Sequence, residues 1–196
     1  MKTYKEFFEY NRKWAAESKE SDPDFFSKLA EGQNPGFLYI GCSDSRVPAE
    51  EVTGARPGEL FVHRNIANVV HPSDPNAMAV IDYAVTQLKV RHIVVCGHYL
   101  CGGVKASMEK RMEGSLDSWL DRIRDVASMN LEELNVISDE EQRYHRLVEI
   151  NVEAQCRNVA NIPVVRDSQK SNGTPMVHGW VFDIRTGELT DLNFNP

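Results

Sequence analysis

The sequence predicts one α/β domain: a mainly parallel central sheet flanked by helices, with an antiparallel strand at its C-terminal edge. Three observations carry that expectation. Short continuous apolar runs, "GFLYIGC" (36–42) and "RHIVVCGH" (91–98), have the look of strands buried on both faces. A helical repeat, "SDPNAMAVIDYAVTQLKV" (73–90), separates strand-like runs, and strand, helix, strand in succession is how parallel strands join through right-handed crossovers. With 196 residues and 41% hydrophobic content, the chain can fill one sizeable core and is too short for two full domains.

Taken in order, Tyr4, Phe7, Phe8, Asn11, Trp14 and Ala15 fall at helical spacing and predict an amphipathic first helix. A second is expected from "SDPDFFSKLA" (21–30), with Asp22 as cap and Pro23 in the first turn. Residues 1–30 are thus two helices suited to packing on a partner subunit. The run at 36–42 is the first strand and "GELFVHRN" (58–65) the second. The third helix starts at Asp74-Pro75 and sets Ala77, Val80, Ile81, Ala84, Val85 and Leu88 along one stripe. It leads into the third strand at 91–98. Leu116, Trp119, Leu120 and Ile123 mark another helix, and Ser138 with Glu141 forms a capping-box pattern before a long helix to about Asn161. "MVHGWVFDI" and "ELTDLNF", joined through Arg185-Thr186-Gly187, read as the last strand and its hairpin partner.

Composition narrows the function. The chain carries 29 acidic against 22 basic residues, net charge -7, which gives no electrostatic reason for nucleic acid or an anionic membrane as a partner and favours a small ligand. The N-terminus "MKTYKEFFEYNRKW" mixes charge into every turn, and no 18-residue apolar run occurs, so a cytoplasmic location is expected. Four cysteines, Cys42, Cys96, Cys101 and Cys156, are too few for a disulfide scaffold and more suited to metal or chemistry.

The chemistry concentrates in two stretches. "GCSDSR" follows the first strand and "CGHYLCGG" the third, and ligands of open parallel sheets bind beyond the carboxyl ends of the strands. Cys42, His98 and Cys101 are therefore expected to meet there. Two thiolates and an imidazole suit zinc by softness and geometry. Glycines 41, 97, 102 and 103 allow close backbone approach around so crowded a site. Cys96, two residues before His98, is expected to point into packing, and Cys156 to be a small buried hydrophobe of the long helix. His63, His71, His92, His145 and His178 lack a companion ligand at useful spacing.

"CSDSRVP", "GELFVHRNIAN" and "HIVVCGHYLCGG" resemble the hallmark segments of the β-class carbonic anhydrases, with the similarity running to "HGWVFD" near the C-terminus. The resemblance implies a zinc enzyme that interconverts carbon dioxide and bicarbonate on a mainly parallel sheet, assembled as a homodimer or a dimer of dimers. Residue by residue, Cys42, His98 and Cys101 match the zinc ligands, and Asp44 with Arg46 matches the dyad beside the metal. A catalytic zinc keeps an open fourth position where a bound water loses its proton and becomes the nucleophile. Asp44, held by Arg46, would orient that nucleophile; released, it would become a fourth ligand and shut the site. Because two thiolates already offset the metal's charge, activity is expected to climb on the alkaline side. On the substrate side the resemblance implies Gln33 as a donor to bicarbonate, Gly102 at the site, and Phe61, Ile66 and Tyr83 around an apolar pocket shared between subunits.

One branch of the family has a non-catalytic bicarbonate pocket made by a tryptophan, an arginine and a tyrosine, and the matching positions here are Tyr39, Arg64 and Phe182. Only the arginine is retained, so open-site character without that regulation is expected. The chain closes at "LNFNP", where many relatives continue, which favours the dimer over the tetramer. Two other functions fit the same residues: hydrolysis of carbonyl sulfide or carbon disulfide, and a non-catalytic protein whose zinc is sealed by Cys42, Asp44, His98 and Cys101. Arg46 argues against the sealed site, which has no need of it.

Overall fold

The computed structural model describes residues 2–111 and 113–195. It divides into two compact units, Met1–Asn34 and Pro35–Pro196. The first holds α1 (Tyr4–Ser21) and α2 (Phe25–Ala30). Thr3 caps α1 in a reciprocal box with Glu6, which satisfies two of the helix's orphan donors. Within the unit the Trp14 ring meets Phe25 and Phe26 edge-on, at 6.2 and 5.5 Å between centroids. No residue of α1 is buried, and Tyr4, Phe7, Phe8 and Tyr10 are all exposed.

Asp22 does not cap α2 as the sequence suggested. It closes α1, donating its N–H to Ser18 O, and α2 begins two residues after Pro23. Proline pushes the residue before it into extended backbone, which ends α1 there. The Asp22 carboxylate instead accepts the Asp24 N–H at 3.1 Å and Lys28 Nζ at 2.9 Å.

The second unit is built on a five-stranded sheet of order β2-β1-β3-β4-β5. Its strands are β1 (Phe37–Cys42), β2 (Leu60–Asn65), β3 (His92–His98), β4 (Met176–Asp183) and β5 (Glu188–Asp191). The first four are parallel, and β5 returns antiparallel on β4 through a turn in which Gly187 takes φ 78°. The chain leaves β1 towards one side of the sheet and comes back to β3 on the other, so the ends of β1 and β3 flank a topological switch point. β1 and β3 are buried from their second residue onward, as continuous apolar runs require.

Helices cover the sheet: α3 (Ala49–Thr53), α4 (Pro75–Thr86), α5 (Gly102–Met108), α6 (Ser115–Met129), α7 (Leu131–Val136), α8 (Glu140–Asn161) and α9 (Pro163–Asn172). Asp74 caps α4, accepting the Asn76 N–H, with Pro75 in the first turn, as expected. The box expected from Ser138 and Glu141 does not form: the cap is Asp139, which accepts the Gln142 N–H at 2.8 Å. A carboxylate at that position also meets the positive end of the helix dipole. The main core joins Leu38, Ile40, Ile93 and Val95 to Ile81, Leu120, Ile123, Ile150 and Val152. Tyr39, Val47, Ala49, Val94, Cys96 and Phe182 form a smaller cluster. Among the described residues, no helix is long and apolar enough to cross a membrane.

Candidate metal centre

Cys42 is the last residue of β1 and His98 the last of β3, so strand pairing brings both to one end of the sheet, and the turn after β3 adds Cys101, the N-cap of α5. Their ligand atoms lie within 4.8 Å of one another, and all three side chains are buried. The two sulfurs are 3.9 Å apart. Zinc–sulfur bonds of about 2.3 Å in a tetrahedron place two sulfurs about 3.8 Å apart, so the spacing fits the ion.

His98 supplies the sharpest test of fit. Its Nδ1 pairs with the Tyr99 carbonyl at 2.9 Å, which puts the proton on Nδ1 and the lone pair on Nε2. That Nε2 is buried with no hydrogen-bond partner. A buried acceptor left bare is costly unless something fills it, and a metal ion does. The thiols point the same way. A hydrogen bond from Cys101 draws the Cys42 thiol well below its ordinary pKa, and that bond, with burial, pushes Cys101 up. The pair takes one negative charge readily and a second only against a cation.

The loops around the cluster are held from several sides. Leu100 adopts φ 60°, a left-handed conformation uncommon without glycine. Its carbonyl accepts Arg46 Nη2 at 3.1 Å, and the next carbonyl, of Cys101, accepts the Tyr144 hydroxyl at 2.6 Å. Arg46 also grips Asp44: its backbone N–H and Nε reach Oδ1 at 3.0 and 2.9 Å, and Nη2 reaches Oδ2 at 2.7 Å. These side-chain hydrogen bonds come first in holding the Asp44 carboxyl well below the usual carboxylate range. Asp44 Oδ2 lies 3.7 Å from His98 Nε2. The carboxylate is therefore beside the cluster and engaged by the guanidinium.

A cavity of about 310 Å³ opens here, bounded by Cys42, Asp44, Ile66, Gly102, Gly103 and Leu116. Of the residues expected on the substrate side, Ile66 and Gly102 are among its walls. Phe61 and Tyr83 pair with each other at 5.7 Å and are not among the cavity's walls, and Gln33 belongs to the N-terminal unit. Leu116 and Gly103 were missed as walls. Gly103 has a clear reason for its identity: a Cβ there would come within 2.7 Å of Ile66 Cγ2. Tyr144 and Trp119, whose indole donates to Ile66 O at 2.9 Å, also escaped sequence reasoning, since a helix side chain reaching a remote carbonyl leaves no spacing pattern. Cys96 and Cys156 are buried, as expected, and burial pushes both thiols up to about 12.

Comparison with known proteins gives the same family from three directions. The carbonic anhydrase family model matches residues 37–189. The carbonic anhydrase of Emericella nidulans is 55% identical over 193 residues, covering 98% of this chain and 85% of that protein. Among solved structures, one from a study of two tetrameric β-carbonic anhydrases of Sordaria macrospora aligns with a TM-score of 0.93 at 44% identity, over 97% of this chain and 96% of that one. The β-carbonic anhydrase of Coccomyxa, solved in complex with acetazolamide, aligns with a TM-score of 0.91 at 39% identity, over 98% and 87%. Sequence, sheet and thiol-imidazole cluster agree, and the chain belongs to the β-class carbonic anhydrases.

Proposed function

We propose that the chain catalyses reversible hydration of carbon dioxide at an open zinc site held by Cys42, His98 and Cys101, with Asp44 and Arg46 as the catalytic dyad. Zinc, when bound there, supplies an acidified water for attack on carbon dioxide. The observation that carries the reading is the fork of Arg46 on Asp44, because it keeps the carboxylate from serving as a fourth ligand. Asp44 Oδ2, 3.7 Å from His98 Nε2, is the oxygen turned towards the cluster. From there it would accept a hydrogen bond from the attacking water and so orient that water's lone pair. Ile66 and Leu116 give the cavity apolar walls that suit an uncharged gas.

The same reading takes Gln33, Phe61 and Tyr83 as substrate-side residues completed by a second subunit. The exposure of Ile66 and Tyr83 at 40% and 45% supports a partner over that rim. A homodimer is the minimal assembly, and likeness to the tetrameric Sordaria enzymes supports a dimer of dimers. Four unpaired thiols support a cytoplasmic location.

Stopped-flow hydration across pH, with zinc content measured in parallel, tests the proposal. Wild-type turnover should rise towards alkaline pH. Asp44→Asn should keep its zinc and lose turnover by about 100-fold or more. An Asn variant as fast as wild type would remove Asp44 from the mechanism, and a zinc-loaded wild type without hydration activity would favour a sealed, non-catalytic site.

A further inference from the structure

Ala67 and Asn68, one residue beyond the end of β2, both have positive φ, 61° and 48°. Two consecutive non-glycine residues in that region are strained and persist only where the surroundings enforce them. The turn points the Ala67 N–H at Cys42 Sγ, 3.4 Å away. What enforces it is a row of amides on α8. Asn151 Nδ2 donates to Ala67 O at 3.1 Å. Gln155 Oε1 accepts the Val70 N–H at 2.9 Å, while its Nε2 donates to Asn151 Oδ1 at 2.9 Å. Asn158 Nδ2 closes the row on Val70 O at 2.8 Å. Asn151 and Gln155 are each 1% exposed, so their amides have few other partners to choose from. Spaced by four and three residues, the three side chains share one helix face.

We propose that this amide row, and Asn151 above all, is a positioning device for the sulfur of Cys42: by holding Ala67 in its left-handed turn it keeps an N–H on the ligand atom. A hydrogen bond to a thiolate lowers the energy of its lone pairs and favours the deprotonated, correctly placed ligand over the free thiol, so its loss moves the charge-transfer band to longer wavelength and costs metal affinity. Asn151 touches no reacting atom; it acts through Ala67. The inference rests on Cys42 being a metal ligand.

Cobalt(II)-substituted protein supplies the readout, because the sulfur-to-cobalt charge-transfer band moves with the electron density on sulfur. Asn151→Ala should shift that band to longer wavelength and weaken zinc affinity, measured by chelator competition, by about 10–100-fold. Adding Ala67→Gly, which tolerates the left-handed turn without a Cβ, should recover a large part of both. A folded Asn151→Ala protein with wild-type band and affinity would overturn the proposal, as would a shift that Ala67→Gly leaves untouched. If alanine prevents folding, Asn151→Leu preserves volume while removing the donor, and the same readouts decide. Failure of the underlying ligand assignment looks different: Cys42→Ala would then leave the wild-type band unchanged.

Discussion

Arg46 divides one guanidinium between the Asp44 carboxylate and the Leu100 carbonyl, so the dyad and the metal-binding turn are tied through a single side chain. Elsewhere a buried side chain adds to the pH response of the fold. His63 is 6% exposed, and burial holds its pKa below the ordinary 6.5. The unfolded chain takes up a proton near that value while the folded protein resists, so stability is level above it and falls as pH drops towards the folded pKa. The urea midpoint should therefore decline below about pH 6.5, and His63→Gln should flatten that decline. An equal slope in wild type and variant would assign the effect to other groups, His92 among them, whose pKa burial also lowers. At this scale the sequence was informative where chemistry sits in contiguous motifs. Cys42, Asp44 and Arg46 alternate within six residues' reach of a strand end, and His98 and Cys101 share one turn. Asn151 and Tyr144 were invisible, because nothing in a helix's own pattern says which distant carbonyl its side chain will meet.

The central strands and long helices were legible for a reason: a continuous apolar run, as in β1 and β3, or three turns of helix, repeats its pattern often enough to be recognised. The helices α3, α5, α7 and α9 were not. α3 and α7 span 5 and 6 residues, barely one period, and α5 starts inside the metal motif, where its glycines read as a turn. The strand ends also bear on regulation. Arg64, on β2, donates Nε to Cys42 O at 2.8 Å and Nη2 to Asp44 O and Val47 O at 2.6 and 3.1 Å. It stitches the loop that follows β1. Beside it the Tyr39 ring fills the space over Gly41, where a Cβ would come within 2.4 Å, and Phe182 brings no hydroxyl. Bicarbonate should accordingly inhibit without cooperativity, and Arg64→Ala should leave that inhibition as it is while lowering stability by about 1–3 kcal/mol through the unpaired carbonyls. Inhibition kinetics and urea melts separate the two effects; cooperative inhibition abolished in the variant would mean an anion does bind at Arg64.

For the molecule as a whole, the unresolved demand lies on α1. Its sequence stripe predicted an amphipathic helix, yet Tyr4, Phe7 and Phe8 are 78%, 60% and 50% exposed, and nothing along the helix is buried. Burying an aromatic ring is worth about 1.5–3 kcal/mol, so three rings left in water forgo a large driving force unless a partner surface takes them up. A second copy of the chain is the partner proposed above, and two-fold symmetry makes the consequence steep. Each substitution is felt at both copies of the contact, so Phe8→Ala, whose ring is half exposed, should cost a dimer about 1.5–3 kcal/mol, roughly 10-fold to 100-fold in dissociation constant. Sedimentation velocity over a dilution series measures this directly, with wild type staying associated at concentrations where the variant sediments as monomer. Dissociation should also lower turnover per zinc if Gln33, Phe61 and Tyr83 complete the pocket across the interface, whereas a variant that dilutes to monomer and keeps full activity would place those residues outside the site. Identical sedimentation of the two proteins would show that the α1 stripe is not what joins the subunits.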